Sequence, residues 1–367
     1  EPTFIQVSIE GELGTEDEPL DFTAEARTML LTVSTLGADR AAHPFDGDLK
    51  IRVRPGRLQQ DAWVTLTDGS WSGEVSFEAS FGPTRVWFSD EGDKQSSSER
   101  VPSYGTGVSE PIHIRFPTIA QMQQIDDHET NQLDGEFAEL RIEDREVVIT
   151  QVGTNGFWVT DLLDGPDAYG SLYVYSFSKP EGITEGDRLV QLTGNNQEYL
   201  ATTQLSFPTY ISAEGEALEV PDAVEFDVGS NCDGWSIASD SAEALEASLV
   251  EVRGLQIPDD FCADPDCSED DYFDYLEYGQ WPLESAGGCK IYVSSSTTIP
   301  DFDPLAYPGA DVTVARGMLA EIWGKWILVA RDSDDLSVDG FESDPPANPA
   351  LPTLPSPRPR SSEGRRK

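Results

Sequence analysis

The residues best able to do chemistry lie in one acidic stretch, IPDDFCADPDCSEDDYFDY, at positions 257–275. Calcium prefers about six to eight hard oxygen ligands, which the carboxylates and carbonyls of one loop supply. The stretch therefore makes calcium the candidate cofactor. The D-x-D-x-D-G frame of an EF-hand is missing, so a solvated acidic loop is the competing interpretation. The candidate ligands are the seven carboxylates Asp259, Asp260, Asp264, Asp266, Glu269, Asp270 and Asp271.

The cysteines cluster around the same stretch. An even set in acidic, loop-rich surroundings predicts two disulfides and hence an oxidising compartment. Three pairings are possible, and the spacing does not choose among them. The sequence has no C-x-x-C pair, and its histidines lie far away, which disfavours a zinc site. The chain has four cysteines in total, Cys232, Cys262, Cys267 and Cys289.

A second candidate site consists of aromatic side chains on predicted strands. Aromatic rings on the face of a small barrel stack on bases or sugars. Side chains alternate along a strand, so Trp158 faces away from Phe157 and Val159. One of the two sets must fill the core, and the pattern does not choose between them. The predicted ligand face contains Trp158, Tyr173, Tyr175 and Tyr199, with Phe177 beside them and Trp323 and Trp326 in a later segment.

The sequence carries no recognisable catalytic motif. It has no G-x-S-x-G elbow, phosphate-binding loop, dinucleotide fingerprint or H-E-x-x-H pair. The histidines His43, His113 and His128 are scattered, and the run 126–129 is typical of a solvated linker. We therefore predict that the protein is not an enzyme. The enzymatic alternative is a pair of distant carboxylates, as glycoside hydrolases use.

The first group of aromatic residues lies where the strand pattern is clearest, in residues 137–211. Two apolar runs, 147–152 and 157–160, flank Asn155 and Gly156, which is a strong hairpin signal. Three further strand-like runs follow at 171–177, 188–194 and 203–207. Five strands in about 70 residues predict a small Greek-key barrel of the OB type.

The segments VVITQVGTNGFWVTD, SLYVYSF, GDRLVQLTGNNQEY and TTQLSF, in this order, resemble the OB-fold modules of secreted bacterial proteins. Such modules often accompany extracellular nucleases and phosphoesterases. The resemblance implies an OB fold for this part of the chain and a bacterial, exported context. No segment has room for the catalytic His, Asp and Asn residues of such a nuclease domain.

A diverged second copy of the pattern is predicted at residues 241–331. The run GDRLVQLTGNNQEYLATTQLSF aligns with GADVTVARGMLAEIWGKWILVA. This alignment places Gly186 on Gly309 and Gly194 on Gly317. The acidic, cysteine-bearing stretch then becomes an insertion between two strands of a second barrel.

Residues 1–116 show short strands with turn signals about every 8–12 residues, which predicts a β-sandwich. AWVTLTDGSWSGEVSF followed by GPTRVWFSDEG resembles the closing strands of bacterial immunoglobulin-like domains. We expect linkers at 117–136 and 212–240, and a disordered tail, acidic and then Pro-rich, at 332–367. The predicted fold class is all-β, with an immunoglobulin-like β-sandwich followed by two OB-like small β-barrels.

The formal net charge of −44 decides which partners the surface favours. Such a surface repels nucleic acids and anionic membranes and attracts cations and basic partners. No apolar run reaches the length of a membrane span. We predict an exported bacterial binding, adhesion or scaffolding protein, extracellular, at the cell surface or periplasmic, with a protein or glycan partner. A lipid anchor upstream of Glu1 is a further option. The alternative function is an OB-fold nucleic-acid-binding accessory related to secreted nucleases.

Overall fold

Strands account for most of the regular structure, and the all-β prediction is confirmed. The computed structural model describes residues 4–92, 94, 104–124, 133, 140–142, 144–259 and 269–341. Within these ranges the chain forms a β-sandwich and two small barrels. No helix in the described ranges is long and apolar enough to span a membrane.

The β-sandwich has nine strands in two facing sheets. Its strands are β1 Phe4–Glu10, β2 Arg27–Leu36, β3 Gly47–Arg54, β4 Arg57–Leu58, β5 Trp63–Leu66, β6 Ser70–Glu78, β7 Gly82–Ser89, β8 Gly107–Val108 and β9 Ile112–Ile114. One sheet has the order β1-β2-β6-β4, and the other has β5-β3-β7-β8 with β9 also on β7. Alternation turns Leu31, Leu49 and Phe77 into the shared core, where each is fully buried.

A short helix, α1 (Ile119–Gln123), lies between the sandwich and the first barrel. Thr118 and Gln121 form a capping box at its start. Ile119 and Met122 pack into the core of the first barrel, together with Phe81 of the sandwich. The predicted linker 117–136 therefore begins with a packed helix, while the acidic run 126–129 lies outside the described residues.

Barrel 1 contains β10 Leu140–Ile142, β11 Val147–Val152, β12 Gly156–Asp161, β13 Ser171–Tyr175, β14 Asp187–Tyr199 and β15 Thr202–Ala217. Pairing runs β11-β12-β13-β15-β14 and returns to β11 through two residue pairs. Only the β13–β15 pair is parallel within this ring. Phe157, Leu172 and Val174 fill its interior, so the hairpin predicted at Asn155 and Gly156 positions alternate side chains inside and outside the barrel.

Barrel 2 repeats this strand order. Its elements are β16 Val224–Glu225, β17 Cys232–Asp233, β18 Ser236–Ile237, α2 Ser239–Ala242, β19 Leu249–Gln256, α3 Glu269–Tyr278, β20 Gln280–Glu284, β21 Lys290–Ser294, β22 Asp311–Ile322, β23 Lys325–Val329 and β24 Leu336–Val338. Pairing runs β19-β20-β21-β23-β22 and back to β19, with β21–β23 parallel. Short 3-10 turns occupy Glu243–Leu245, Pro304–Ala306 and Ser333–Asp335. The two small barrels predicted from the sequence are thus present.

The two aligned glycines occupy equivalent positions in the barrels. A Cβ atom on Gly194 would lie 2.7 Å from Leu205 Cγ and 2.8 Å from the Ser206 carbonyl oxygen. A Cβ atom on Gly317 would lie 2.7 Å from the Val329 carbonyl oxygen. In each barrel the fourth strand passes so close to the fifth that only glycine fits.

The structure moves three of the predicted boundaries. β15 continues to Ala217, and β16, β17 and β18 lie within the predicted linker 212–240 and join the sheet of barrel 2. The predicted tail 332–367 begins with ordered chain, since β24 pairs with β22. These strands have only two or three residues, too few to show a period of two. Residues 342–367 lie outside the described ranges.

Candidate ligand cleft between the barrels

A cleft of about 1090 Å³ lies between barrel 1 and barrel 2. Strands β12 and β13 and the tip of the β14–β15 hairpin form one wall. Strands β22 and β23 form the other, with the segment after β23 at one edge. A space of this size suits a small ligand or a few units of a chain molecule.

Aromatic rings line the barrel 1 wall because alternation turns them outward. Phe157 and Val174 point into the barrel, so Trp158, Tyr173 and Tyr175 point into the cleft. The ring centroids of Trp158 and Tyr173 are 4.7 Å apart. The Tyr173 hydroxyl donates a hydrogen bond to Asn155 Oδ1 at 3.0 Å. Burial raises the pKa of Tyr173, so this phenol stays a hydrogen-bond donor.

The rim of this wall carries large aromatic residues that face solvent. Phe177 contacts Tyr175 at a centroid distance of 4.6 Å and Phe207 at 5.1 Å. Phe207 is 64% exposed, and Phe177 and Tyr199 are also more than half exposed. Phe177 and Phe207 adopt left-handed backbone angles, with φ of 63° and 53°. Strained backbone of this kind is concentrated at functional sites, which marks the rim as a candidate contact surface.

The barrel 2 wall is apolar and touches barrel 1 through one large ring. Trp158 is 8% exposed because it packs against Ala247, Leu249 and Met318. This contact holds the two walls together at the closed end of the cleft. Further along, Leu319, Ala320, Ile322 and Val329 line the barrel 2 side.

The polar groups of the cleft are mainly amides and hydroxyls, and its charges balance. The neutral ones include Gln151, Thr154, Asn155, Gln197, Gln204, Ser206, Thr297 and Thr298. The charged ones are Lys179, Glu185, Arg331 and Asp332. Arg331 donates to both oxygens of Asp335 at 2.9 Å and to Glu185 at 3.4 Å. With that guanidinium engaged, the cleft favours an uncharged, polar ligand.

The predicted ligand face is partly brought together here. Trp158, Tyr173, Tyr175 and Tyr199 all line the cleft. Trp326 was wrongly placed on this face, since it is 1% exposed and shares the core of barrel 2 with Leu328. Alternation sends these two side chains inward. Trp323 lies at the β22–β23 turn, 75% exposed, and is not among the residues that line the cleft.

Sequence reasoning missed Phe207 and the whole barrel 2 wall. Phe207 falls at the end of a predicted strand, and its left-handed backbone angle has no sequence signature in a phenylalanine. A partial signal exists, because Ser-Phe follows an apolar run in both SLYVYSF and TTQLSF. The barrel 2 wall depends on how two barrels pack, which strand patterns do not encode.

The described part of the acidic stretch makes structural contacts within barrel 2. Asp271 is buried, and its carboxylate accepts hydrogen bonds from Lys290 Nζ at 3.0 Å and from the Tyr292 hydroxyl at 2.9 Å. Asp259 is exposed, and Glu269 and Asp270 begin α3. Asp260, Asp264 and Asp266 lie outside the described residues. In the ranges that the structure covers, no three acidic, His or Cys side chains are placed to hold a metal, so calcium stays a prediction.

Among the described cysteines, Cys232 and Cys289 form a disulfide with 57 residues of sequence separation. It joins β17 to the residue before β21. Cys262 and Cys267 lie outside the described residues. The bond is one of the pairings that the sequence allowed.

Comparison with known proteins adds no functional assignment to this picture. No protein-family model matches the chain, and no curated protein matches it in sequence. The geometry of the cleft is therefore the main basis for a functional conclusion.

Proposed function

We propose that the protein is a non-catalytic binding protein that holds a neutral glycan in the cleft between its barrels. The observation that carries the proposal is the row of contacting rings Tyr175, Phe177 and Phe207, of which the two phenylalanines are exposed, beside a lining of amides and hydroxyls. A sugar ring has apolar C–H faces and a rim of hydroxyl groups. The faces pack on aromatic rings, and the hydroxyls pair with a few well-placed polar groups.

Charge supports a neutral ligand over an anionic one. The cleft contains two cations and two anions, and Arg331 is engaged by Asp335 and Glu185. Phosphate chains need several free cations for binding. The formed disulfide supports the predicted oxidising location, where glycans and surface proteins are available as partners.

Calorimetric titration of the full chain with neutral soluble polysaccharides tests the proposal. The probes are a β-glucan, an α-glucan, a xylan and a mannan. We expect one class to bind and the double variant Phe177→Ala, Phe207→Ala to weaken it at least tenfold, since each ring contributes about 1.5–3 kcal/mol when buried. Trp323→Ala is the matched control, an exposed aromatic outside the cleft. If no probe binds, or if binding survives the double variant, the proposal is wrong.

The nucleic-acid alternative rests on the same rings, because exposed aromatic residues on a barrel also stack single-stranded bases. Fluorescence anisotropy with labelled single-stranded DNA and RNA, at low and moderate salt, distinguishes the two functions. We expect no binding at moderate salt. Binding that persists there and is lost in the double variant would favour the nucleic-acid function.

A further inference from the structure

Four glutamate side chains meet where the β14–β15 hairpin of barrel 1 contacts barrel 2, and we call them the glutamate junction. Glu198 lies near the end of β14, and Glu321 lies near the end of β22. Glu243 and Glu246 lie in and just after the 3-10 turn that precedes β19. Glu246 and Glu321 are each 1% exposed, and Glu198 and Glu243 are half-buried beside them.

Two threonines of the hairpin bind this junction. The Thr203 main-chain N–H donates to Glu246 Oε2 at 3.1 Å, and the Thr203 hydroxyl donates to Glu198 Oε2 at 2.8 Å. The Thr202 hydroxyl donates to the main-chain oxygen of Glu321. The hairpin tip is thus attached to barrel 2 through one carboxylate oxygen, of Glu246, and one main-chain oxygen, of Glu321, while the bond to Glu198 lies within the hairpin.

Some polar atoms of the junction have no hydrogen-bond partner within the described residues. These atoms are Oε1 of Glu246 and Oε1 of Glu243. An ionised Glu246 would be a fully buried charge, and an isolated buried charge is strongly unfavourable. A carboxyl group in this position therefore holds a proton.

Within the described residues, the charged groups that raise the pKa of Glu243 and Glu246 are all carboxyls. Glu198 of the hairpin, Asp240 of α2 and Glu321 of β22 act on Glu243, and Glu243, Glu198 and Glu321 act on Glu246. Each of these groups is a carboxyl. Ionisation of the junction would therefore place several negative charges against one another in a buried space.

We propose that the glutamate junction is a proton-dependent clamp, which holds the β14–β15 hairpin on barrel 2 while its glutamates are protonated and releases it when they ionise. The hairpin tip also forms part of the cleft, since Tyr199, Leu200 and Thr202 line it. Release of the tip opens that end of the cleft. The clamp is a property of the fold and holds whichever ligand the cleft binds.

The direction of the pKa shifts gives the pH range. Burial, together with the neighbouring carboxylates Glu321, Glu198 and Asp240, raises the pKa of Glu243 to about 8. Burial also raises the pKa of Glu246 well above its ordinary value, with Glu243 as the largest neighbouring charge. Because folded pKa values above the unfolded ones mean tighter proton binding in the closed state, the clamp is fully stable below about pH 4.5. It weakens as the pH rises towards 8 and above.

Hydrogen exchange of the full chain tests the clamp, because the Thr203 amide is bound to Glu246. After correction for intrinsic exchange rates, we expect protection at residues 202–204 to fall about tenfold or more between pH 6 and pH 9. Strands β2 and β6 of the sandwich serve as the internal reference. In the double variant Glu243→Gln, Glu246→Gln, which mimics the protonated state, we expect protection that does not change with pH.

Glu74→Gln, at an exposed position of the sandwich, is the matched control and keeps the pH dependence of the original chain. If the double variant fails to fold, Glu243→Gln alone replaces it, with a reduced pH dependence expected. Protection that is constant from pH 6 to pH 9 in the original chain overturns the proposal. So does a pH dependence that the Gln variants leave unchanged.

Discussion

The outer face formed by the second and third strands lines the cleft in barrel 1 but is covered by a helix in barrel 2. In barrel 1 this face carries Trp158 and Tyr173, which are cross-strand partners, and it opens onto the cleft. The equivalent pair in barrel 2 is Pro282 and Tyr292. Tyr292 is buried, with its hydroxyl bonded to Asp271 of α3 and its ring 4.7 Å from Lys325 Nζ. Helix α3 therefore covers this outer face in barrel 2, whereas the equivalent face of barrel 1 lines the cleft.

The difference originates in one connection. In barrel 1 the first two strands are joined by residues 153–155, a tight turn. In barrel 2 the same connection spans residues 257–279 and contains α3. Helix α3 thus covers a face that barrel 1 keeps open. The length and content of this one connection thus decide whether the outer face of a barrel is covered.

Replacement of Trp158 is expected to have the largest effect on this comparison. Trp158→Ala removes the ring that joins the barrels, and loss of a buried tryptophan costs about 3–5 kcal/mol. Urea unfolding monitored by circular dichroism measures the change. Trp323→Ala, the exposed tryptophan, is expected to shift the free energy of unfolding by less than about 0.5 kcal/mol. Equal effects of the two changes would mean that Trp158 does not connect the barrels.

The next largest effects are expected at the equivalent glycines Gly194 and Gly317. Their replacement tests how closely the fourth and fifth strands pack in each barrel. Gly317→Ala forces a Cβ atom against the main chain of Val329, which has no room to move. Gly194→Ala meets one carbonyl oxygen and the Leu205 side chain, so less of its contact is with main chain. We expect a loss of about 2–3 kcal/mol for Gly317→Ala and about 1–2 kcal/mol for Gly194→Ala. Thermal unfolding of both variants shows which substitution costs more stability. A larger loss for Gly194→Ala than for Gly317→Ala would contradict this difference between the two contacts.

The smallest effect is expected from the cover of barrel 2. Asp271→Asn weakens the contacts of α3 with Lys290 and Tyr292, and we expect it to destabilise the protein by about 1–2 kcal/mol. Fluorescence quenching by acrylamide is expected to show greater access to barrel 2 aromatic residues. Asp301→Asn, at an exposed position outside this contact, is the control. If Asp271→Asn behaves like the control, α3 is held by other contacts.

The sequence predicted the architecture well because regular alternation and turn chemistry are local. The hairpin at Asn155 and Gly156, the positions of the main strands and the aligned glycines all follow from patterns along the chain. Once Leu172 and Val174 are known to be buried, alternation along the strand places Tyr173 on the outside of the barrel. The sequence contains both sets and cannot rank them without the packing.

The site was harder to predict because its parts come from separate elements. Trp158 and Trp326 are both tryptophans on strands, yet Trp326 fills the interior of barrel 2 and Trp158 packs between the two barrels. The glutamate junction was not predicted from the sequence either, because glutamate is seldom fully buried. Its weak signal is the run AEALEASLV, residues 242–250, in which two glutamates interrupt an apolar segment.

The Cys232–Cys289 bond also determines how the protein survives damage. The loop it closes contains α2, β19, α3 and β20, including the helix that covers barrel 2. A protease that cuts anywhere within this loop leaves two pieces that are still covalently joined. A nicked chain can therefore keep α3 in place over barrel 2. Such a chain would run as one band on a non-reducing gel and as two bands after reduction.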